Sequence, residues 1–237
     1  MRTGITLVVA FLLFVSTVIE AKEPTSAVVD VSWSISLDAD GHVTKLATSD
    51  KRVPKLHTRL ENTIRGWHFS PGKVNGQPAA TDSNLRTSLE IRLVADGFEV
   101  RVLSAATGGF YGKMTPPHYP EFLARAGKQG EVVLLAHYNG TGATTDVAPY
   151  EHGPSADVRL VQAAMTSVKK WTFAPEVVGG HPVPGSVLIP VCFSLYGLPP
   201  PACDWKNPAT GESLSAGQAV ALNPAAKLES DVIGQAL

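Results

Sequence analysis

Ten positions of this chain recur at one offset. Leu56, Leu60, Ile64, Trp67, Phe69, Pro71, Gly76, Pro78, Leu89 and Ile91 each have a counterpart 104 residues later, at Leu160, Ala164, Val168, Trp171, Phe173, Pro175, Gly180, Pro182, Phe193 and Leu195. A fixed long period of this kind is the mark of one small structural unit written twice. The unit therefore constrains the fold more than any single residue does.

Its spacings give its local structure. Leu56, Leu60, Ile64 and Trp67 fall four, four and three apart, so a helix gathers them on one stripe ending in the indole. From Trp67 through Phe69 to Pro71 the period becomes two, and Pro71 cannot continue a helical ladder. Gly76 and Pro78 mark a turn, after which Leu89, Ile91 and Leu93 alternate as one face of a strand. The second copy repeats each step through Trp171, Phe173, Pro175, Gly180 and Pro182 into the apolar run Val187 to Leu195. Trp67, Phe69 and Pro71, with Trp171, Phe173 and Pro175, are accordingly read as structural core between helix and sheet.

Before the first helix, Val31, Trp33, Ile35 and Leu37 alternate up to Asp38-Ala39-Asp40-Gly41, and Val43 resumes the pattern, which predicts a hairpin. A second hairpin is predicted at Leu85 to Val94 and Phe98 to Leu103. The expected organisation is a domain at 27–104, a linker at 105–115, a domain at 116–196 and an irregular tail at 197–237. The fold class is α+β: two tandem small domains, each an antiparallel sheet of about three strands packed against one or two helices.

The chain has 237 residues, 44% hydrophobic and 17% charged, which suits two small cores and excludes a disordered protein. A formal net charge of -1 without Lys or Arg runs gives no reason to expect nucleic acid as a partner. Arg2 precedes an apolar stretch from Ile5 to Ile19, and Ile19-Glu20-Ala21 offers a cleavage site. Residues 1–21 thus read as a signal peptide, placing the mature chain in the periplasm or outside the cell. An uncleaved segment would instead anchor it in the inner membrane, and only then would the chain contact a membrane. In an oxidising compartment the even pair Cys192 and Cys203 favours a disulfide tying the last strand to the tail.

A resemblance covers the second half. Tyr119-Pro120, Gly127, Gly130-Glu131-Val132, Gly142, Ala163-Ala164, Trp171-Thr172-Phe173-Ala174-Pro175, Gly180, Pro182-Val183 and Val187 to Phe193 resemble the C-terminal domain of the TonB energy transducers, in family order. The first half is similar at Asp40-Gly41, Trp67-His68-Phe69-Ser70-Pro71 and Gly76-Gln77-Pro78 but lacks the Tyr-Pro start. The resemblance implies two helices against a three-stranded antiparallel sheet, working in the periplasm, where an extended segment of an outer-membrane receptor pairs with an edge strand. Val187, Ile189, Val191, Phe193 and Leu195 are the expected partner-binding edge.

This sequence departs from the transducer pattern in two places. Ile5 to Ile19 holds no His, and the first domain starts about ten residues after the cleavage site, without a long Pro-rich spacer. Seven histidines lack metal-ligand spacing, and neither a phosphate-binding Gly loop nor a nucleophile elbow occurs. The reading is a non-enzymatic envelope module without catalytic residues, cofactor or metal. It binds an extended partner segment, such as that of an outer-membrane receptor, by strand addition. The competing reading is an anchored TonB-type component of energy-dependent transport across the outer membrane.

Overall fold

The structure, a computed structural model, describes residues 26–50, 54–95, 97–201, 203–206, 213–215 and 219–236. The expected signal peptide at 1–21 lies outside the described residues.

The first half runs β1 (Ser26–Leu37), β2 (Val43–Ala47), α1 (Pro54–Arg65), β3 (Phe69–Ser70), β4 (Lys73–Val74), β5 (Gln77–Pro78), β6 (Thr81–Val94) and β7 (Gly97–Gly108). The second runs β8 (Phe110–Tyr111), α2 (Glu121–Arg125), β9 (Gly130–Tyr138), β10 (Thr144–Pro149), α3 (Val158–Val168), β11 (Phe173–Ala174), β12 (Val177–Val178), β13 (His181–Pro182) and β14 (Gly185–Phe193). In the tail lie β15 (Asp204–Lys206), β16 (Ser213–Ser215), β17 (Val220–Ala221) and β18 (Lys227–Leu228). The chain is mixed α and β, strand-rich, with antiparallel sheets.

Each half has its own core, and each core is built from the stripe that the spacing defines. On one side Val31, Trp33, Ile35 and Leu37 of β1 meet Leu56, Leu60 and Ile64 of α1, with Trp67 and Phe69. On the other, Val132, Leu134 and Ala136 of β9 meet Leu160, Ala164 and Val168 of α3, with Trp171 and Phe173. Trp67 and Trp171 are both buried, and each follows its helix with its N–H donating 3.0 Å to the carbonyl three residues back, Ile64 and Val168. Asp157 caps α3 by accepting the Arg159 N–H. Pro71 and Pro175 are only half-buried, at the rim and not within the core, because the segments they end run out along the surface.

The sheets are wider than three strands. One has the order β2-β1-β6-β7, and the β12–β13 hairpin of the second half joins it where Val177 and Val178 pair with Asp82 and Thr81. The other has the order β10-β9-β14-β17. β6 begins at Thr81, earlier than the hydrophobic alternation indicates, because its first inward residues are Thr81 and Ser83, polar but buried.

Residues 105–115 are no free linker. β7 continues to Gly108, and β8 pairs with β11, Phe110 with Ala174 and Tyr111 with Phe173. Small residues stand here for close approach: a Cβ on Gly109 would lie 2.0 Å from the Tyr138 hydroxyl oxygen. Nor is the described part of 197–237 simply irregular. β17 extends the second sheet, β18 pairs with β3, and Ala226 and Val232 are buried in the first core.

Candidate strand-docking edge

β14 is paired along its whole length with β9, from Gly185 opposite Tyr138 to Phe193 opposite Gly130. Its odd-numbered side chains, Val187, Ile189, Val191 and Phe193, point into the α3 core and are buried. The backbone of its even-numbered residues faces away from β9. The Ser186 carbonyl accepts from the Leu222 N–H at 2.9 Å on that outer side, while the Leu195 N–H, of odd parity, is held on the inner side by Gln129 Oε1 at 2.6 Å.

That outer edge differs from the one read from sequence in two respects. First, Val187 and Leu188 already pair with Ala221 and Val220. Second, the strand ends at Phe193, so Leu195 lies beyond it. Among the described residues no strand pairs with Ile189–Phe193 on the outer side. Pro190 sits in this stretch without an N–H, which leaves its carbonyl and the Cys192 backbone as the groups that an added strand would meet.

The opposite face of the sheet is shielded by the tail. Leu188, Val133 and Val220 form a small buried cluster against which Leu135, Tyr150 and Trp205 pack, and the Tyr150 and Trp205 rings stand edge to face at 5.5 Å. Cys192 and Cys203 are joined in a disulfide, so the tail leaves β14 under covalent restraint. At the far edge of the same sheet, β10 is broken by a register shift between Thr144 and Asp146 and closes on Pro149, devices that blunt an edge.

A wide groove of about 550 Å³ runs between residues 115–120 and α3, lined by Pro116, His118, Pro120, Arg159, Ala163 and Lys170 among others. A smaller one, about 350 Å³, lies where the halves meet, with Lys45 and Asp82 among its walls. Asp38, Asp40 and His42 bring three ligand-type atoms within 4.8 Å of one another in the first hairpin turn. Asp38 is occupied there by the turn itself, accepting from the N–H groups of Asp40 and His42; the His42 bond holds its carboxyl below the usual range.

Sequence reasoning missed one functional contact of the fold, the Glu176 carboxylate. It is buried and accepts from Ser83 Oγ at 2.7 Å, the Ala225 N–H at 2.6 Å and the Ala226 N–H at 3.1 Å. It thereby joins the first sheet, the second half and the tail. Two of its three donors are main-chain groups, which no motif marks.

Residues 115–195 match the family described as Gram-negative bacterial TonB protein C-terminal. This segment is a TonB C-terminal domain. It is similar to Protein TonB of Xanthomonas campestris pv. campestris, 39% identical over 82 residues, which are 35% of this chain and 36% of that protein. It also resembles Protein tonB2 of Pseudomonas aeruginosa, 33% identical over 79 residues, covering 33% of this chain and 28% of the relative. Protein TonB of Vibrio cholerae serotype O1 is 28% identical over 81 residues, 34% of this chain and 32% of that protein. The chain thus spans about a third of the length of these curated relatives. No solved structure matches. Within the TonB C-terminal domain, β9, β10, α3 and β14 supply the sheet and helix, and β14 supplies the edge discussed above.

Proposed function

We propose that this chain is a non-enzymatic envelope protein that binds an extended partner segment by strand addition along Ile189–Phe193. One observation carries the reading. Among the described residues, β14 of the TonB C-terminal domain is paired on one side for nine residues and on the other for two. Unpaired main-chain groups on a strand already held in register are what an incoming strand satisfies, with affinity coming from the backbone.

The first half serves as a diverged copy of the same unit. In its support, β3, β4, β5 and β6 begin at Phe69, Lys73, Gln77 and Thr81, and β11, β12, β13 and β14 begin 104 residues later at Phe173, Val177, His181 and Gly185. The hairpin turns agree too. Asp38 Oδ1 accepts from the N–H groups of Asp40 and His42, and Asn139 Oδ1 from those of Thr141 and Ala143. The copy contributes support and not a second docking edge, since β7 occupies the equivalent side of β6 at eleven positions.

A second reading is favoured by the family match itself: a TonB-type component of energy-dependent transport across the outer membrane, retained at the inner membrane by its N-terminal segment. Fractionation separates the two. A soluble form starting near Lys22 fits the adaptor, and a full-length form in the inner membrane fits the transport component.

Hydrogen exchange of the chain in the presence of outer-membrane vesicles from its source organism tests strand addition. Slower exchange confined to the outward amides of 188–193, Leu188 and Cys192, is the expected footprint. Protection over the 115–120 and α3 groove, with none on β14, would move the site elsewhere.

A further inference from the structure

We propose that β17 is a displaceable strap, an internal strand standing in the place that the partner's strand takes, and this inference rests on the docking edge proposed above. The comparison between the two sheets points to it. On β6 the outer side is closed by β7, which arrives through a tight turn and pairs at eleven positions from Asn84–Gly108 to Val94–Gly97. On β14 the same side is closed, among the described residues, by Val220 and Ala221, with one further bond from the Leu222 N–H to the Ser186 carbonyl. Removing β7 would dismantle a core, whereas lifting β17 breaks a short ladder and the Arg86 bond to the Ala219 carbonyl and uncovers Val220 and the small Ala219.

The strap is held from both ends. Upstream, the Cys192–Cys203 disulfide fixes the chain to β14 itself. Downstream, the Ala225 and Ala226 N–H groups bond Glu176, Ala226 and Val232 enter the first core, and the Gly234 N–H reaches the Val102 carbonyl at 2.8 Å. Between these anchors, among the described residues, the strap is held by the pairing at Val187 and Leu188, by the Arg86 guanidinium donating to the Ala219 carbonyl at 2.7 Å, and by burial of the small Ala219 and of Val220. Tethering at both ends keeps its effective concentration at the edge high, so a partner strand competes with a local rival and does not meet an empty groove. This gives the first half a role: it carries the downstream anchor.

The parity of β14 supplies a direct readout. The Leu188 N–H faces the strap and the Ile189 N–H faces β9. In the full exported chain, without any partner, amide exchange at Leu188 should run at least about 10-fold faster than at Ile189, as a local opening does. Val220→Pro, which removes the strap's donor to Leu188, should raise Leu188 exchange further and leave Ile189 unchanged. Cys203→Ser, kept reduced, releases the upstream anchor and should do the same more weakly. With outer-membrane vesicles, both variants should show more protection at the Cys192 amide, the outward N–H of 190–193, than the unaltered chain.

Exchange of Leu188 together with Ile189, in the unaltered chain and in Cys203→Ser alike, would make β17 a fixed part of the sheet and overturn the strap while leaving the docking edge standing. Independent opening of Leu188 with no vesicle-induced protection in any form would overturn the docking reading and with it the competition. Reduced protection in the variants would show β17 to be part of the partner's site, and that too contradicts a strap. Because Cys203→Ser leaves every β17 side chain in place, the test survives a failure of Val220→Pro to fold.

Discussion

Ser83 donates a hydrogen bond of 2.7 Å to the buried carboxylate of Glu176, across 93 residues of sequence. With the Ala225 and Ala226 amides on the same carboxylate, this contact makes the two halves and the tail one folded body. Glu176→Ala leaves a hydroxyl and two amides without their acceptor, and should cost about 2 to 4 kcal/mol, on the scale of hydrogen bonds to a charged group. Glu176→Gln is no conservative replacement either: its one amide oxygen can still serve Ser83 and Ala226, which share Oε1, but its NH₂ then faces the Ala225 N–H, donor against donor. Thermal melts of both variants should show lowered midpoints, and amide exchange should rise first at Ala225 and Ala226.

Two glycines make equivalent predictions. Gly41 and Gly142 have φ of 86° and 81°, and a Cβ on either would lie 1.8 Å from the Phe69 carbonyl oxygen or 2.0 Å from that of Phe173. Gly41→Ala and Gly142→Ala should each cost at least about 2 kcal/mol, since backbone strain and a clash with main chain add together. Gly76→Ala, with φ 79° and open space around it, should cost only about 1 kcal/mol. Denaturant midpoints of the three variants should fall in that order.

The two indoles anchor separate cores, so Trp67→Ala and Trp171→Ala should each cost about 3 to 5 kcal/mol. Trp171 carries an added bond, its Nε1–H donating to the Thr115 carbonyl at 2.8 Å, and Tyr111 stands edge-on to it at 5.5 Å. Trp171→Phe should therefore keep a cooperative melt but loosen the 115–120 segment, seen as faster proteolysis there.

Tyr138 gives the fold an alkaline limit. Burial first, and then the nearby Glu176 carboxylate, push its hydroxyl up to about 12 from 10.0, so the native state favours the neutral phenol. A group whose folded value lies above its unfolded one contributes stability that is complete below the unfolded value, here about pH 10, and is lost as pH rises towards 12. Tyr138→Phe keeps the ring stacked 4.9 Å from Phe173 and should flatten the fall in stability between pH 10 and 12. An unchanged pH profile would remove Tyr138 as its cause.

Much of this was legible in the sequence wherever apolar spacing decided the structure. The stripe at Leu56, Leu60 and Ile64, its counterpart in α3 and the strands after them follow from period alone. The matching turns were hidden because Asn139 follows Asp38 by 101 residues, whereas Phe173 follows Phe69 by 104, so a fixed offset cannot align both. The tail escaped notice for another reason. Ala219, Val220, Ala226 and Val232 have no periodicity, and their burial is dictated by surfaces from both halves. Glu176 and the joining of β12 to the first sheet are likewise tertiary facts, carried by partners far away in the chain. For the docking edge, the strand was readable but its outer neighbour was not.

The most direct test is a photo-reactive residue placed at Ser194, the exposed residue directly after β14 on its outward parity, and in a second chain at Thr145, exposed on β10. Each chain is produced in cells of the source organism and irradiated there. Docking along β14 predicts a covalent adduct with an envelope protein from position 194 and none from 145. An adduct from 145 alone, or from neither position, would contradict it.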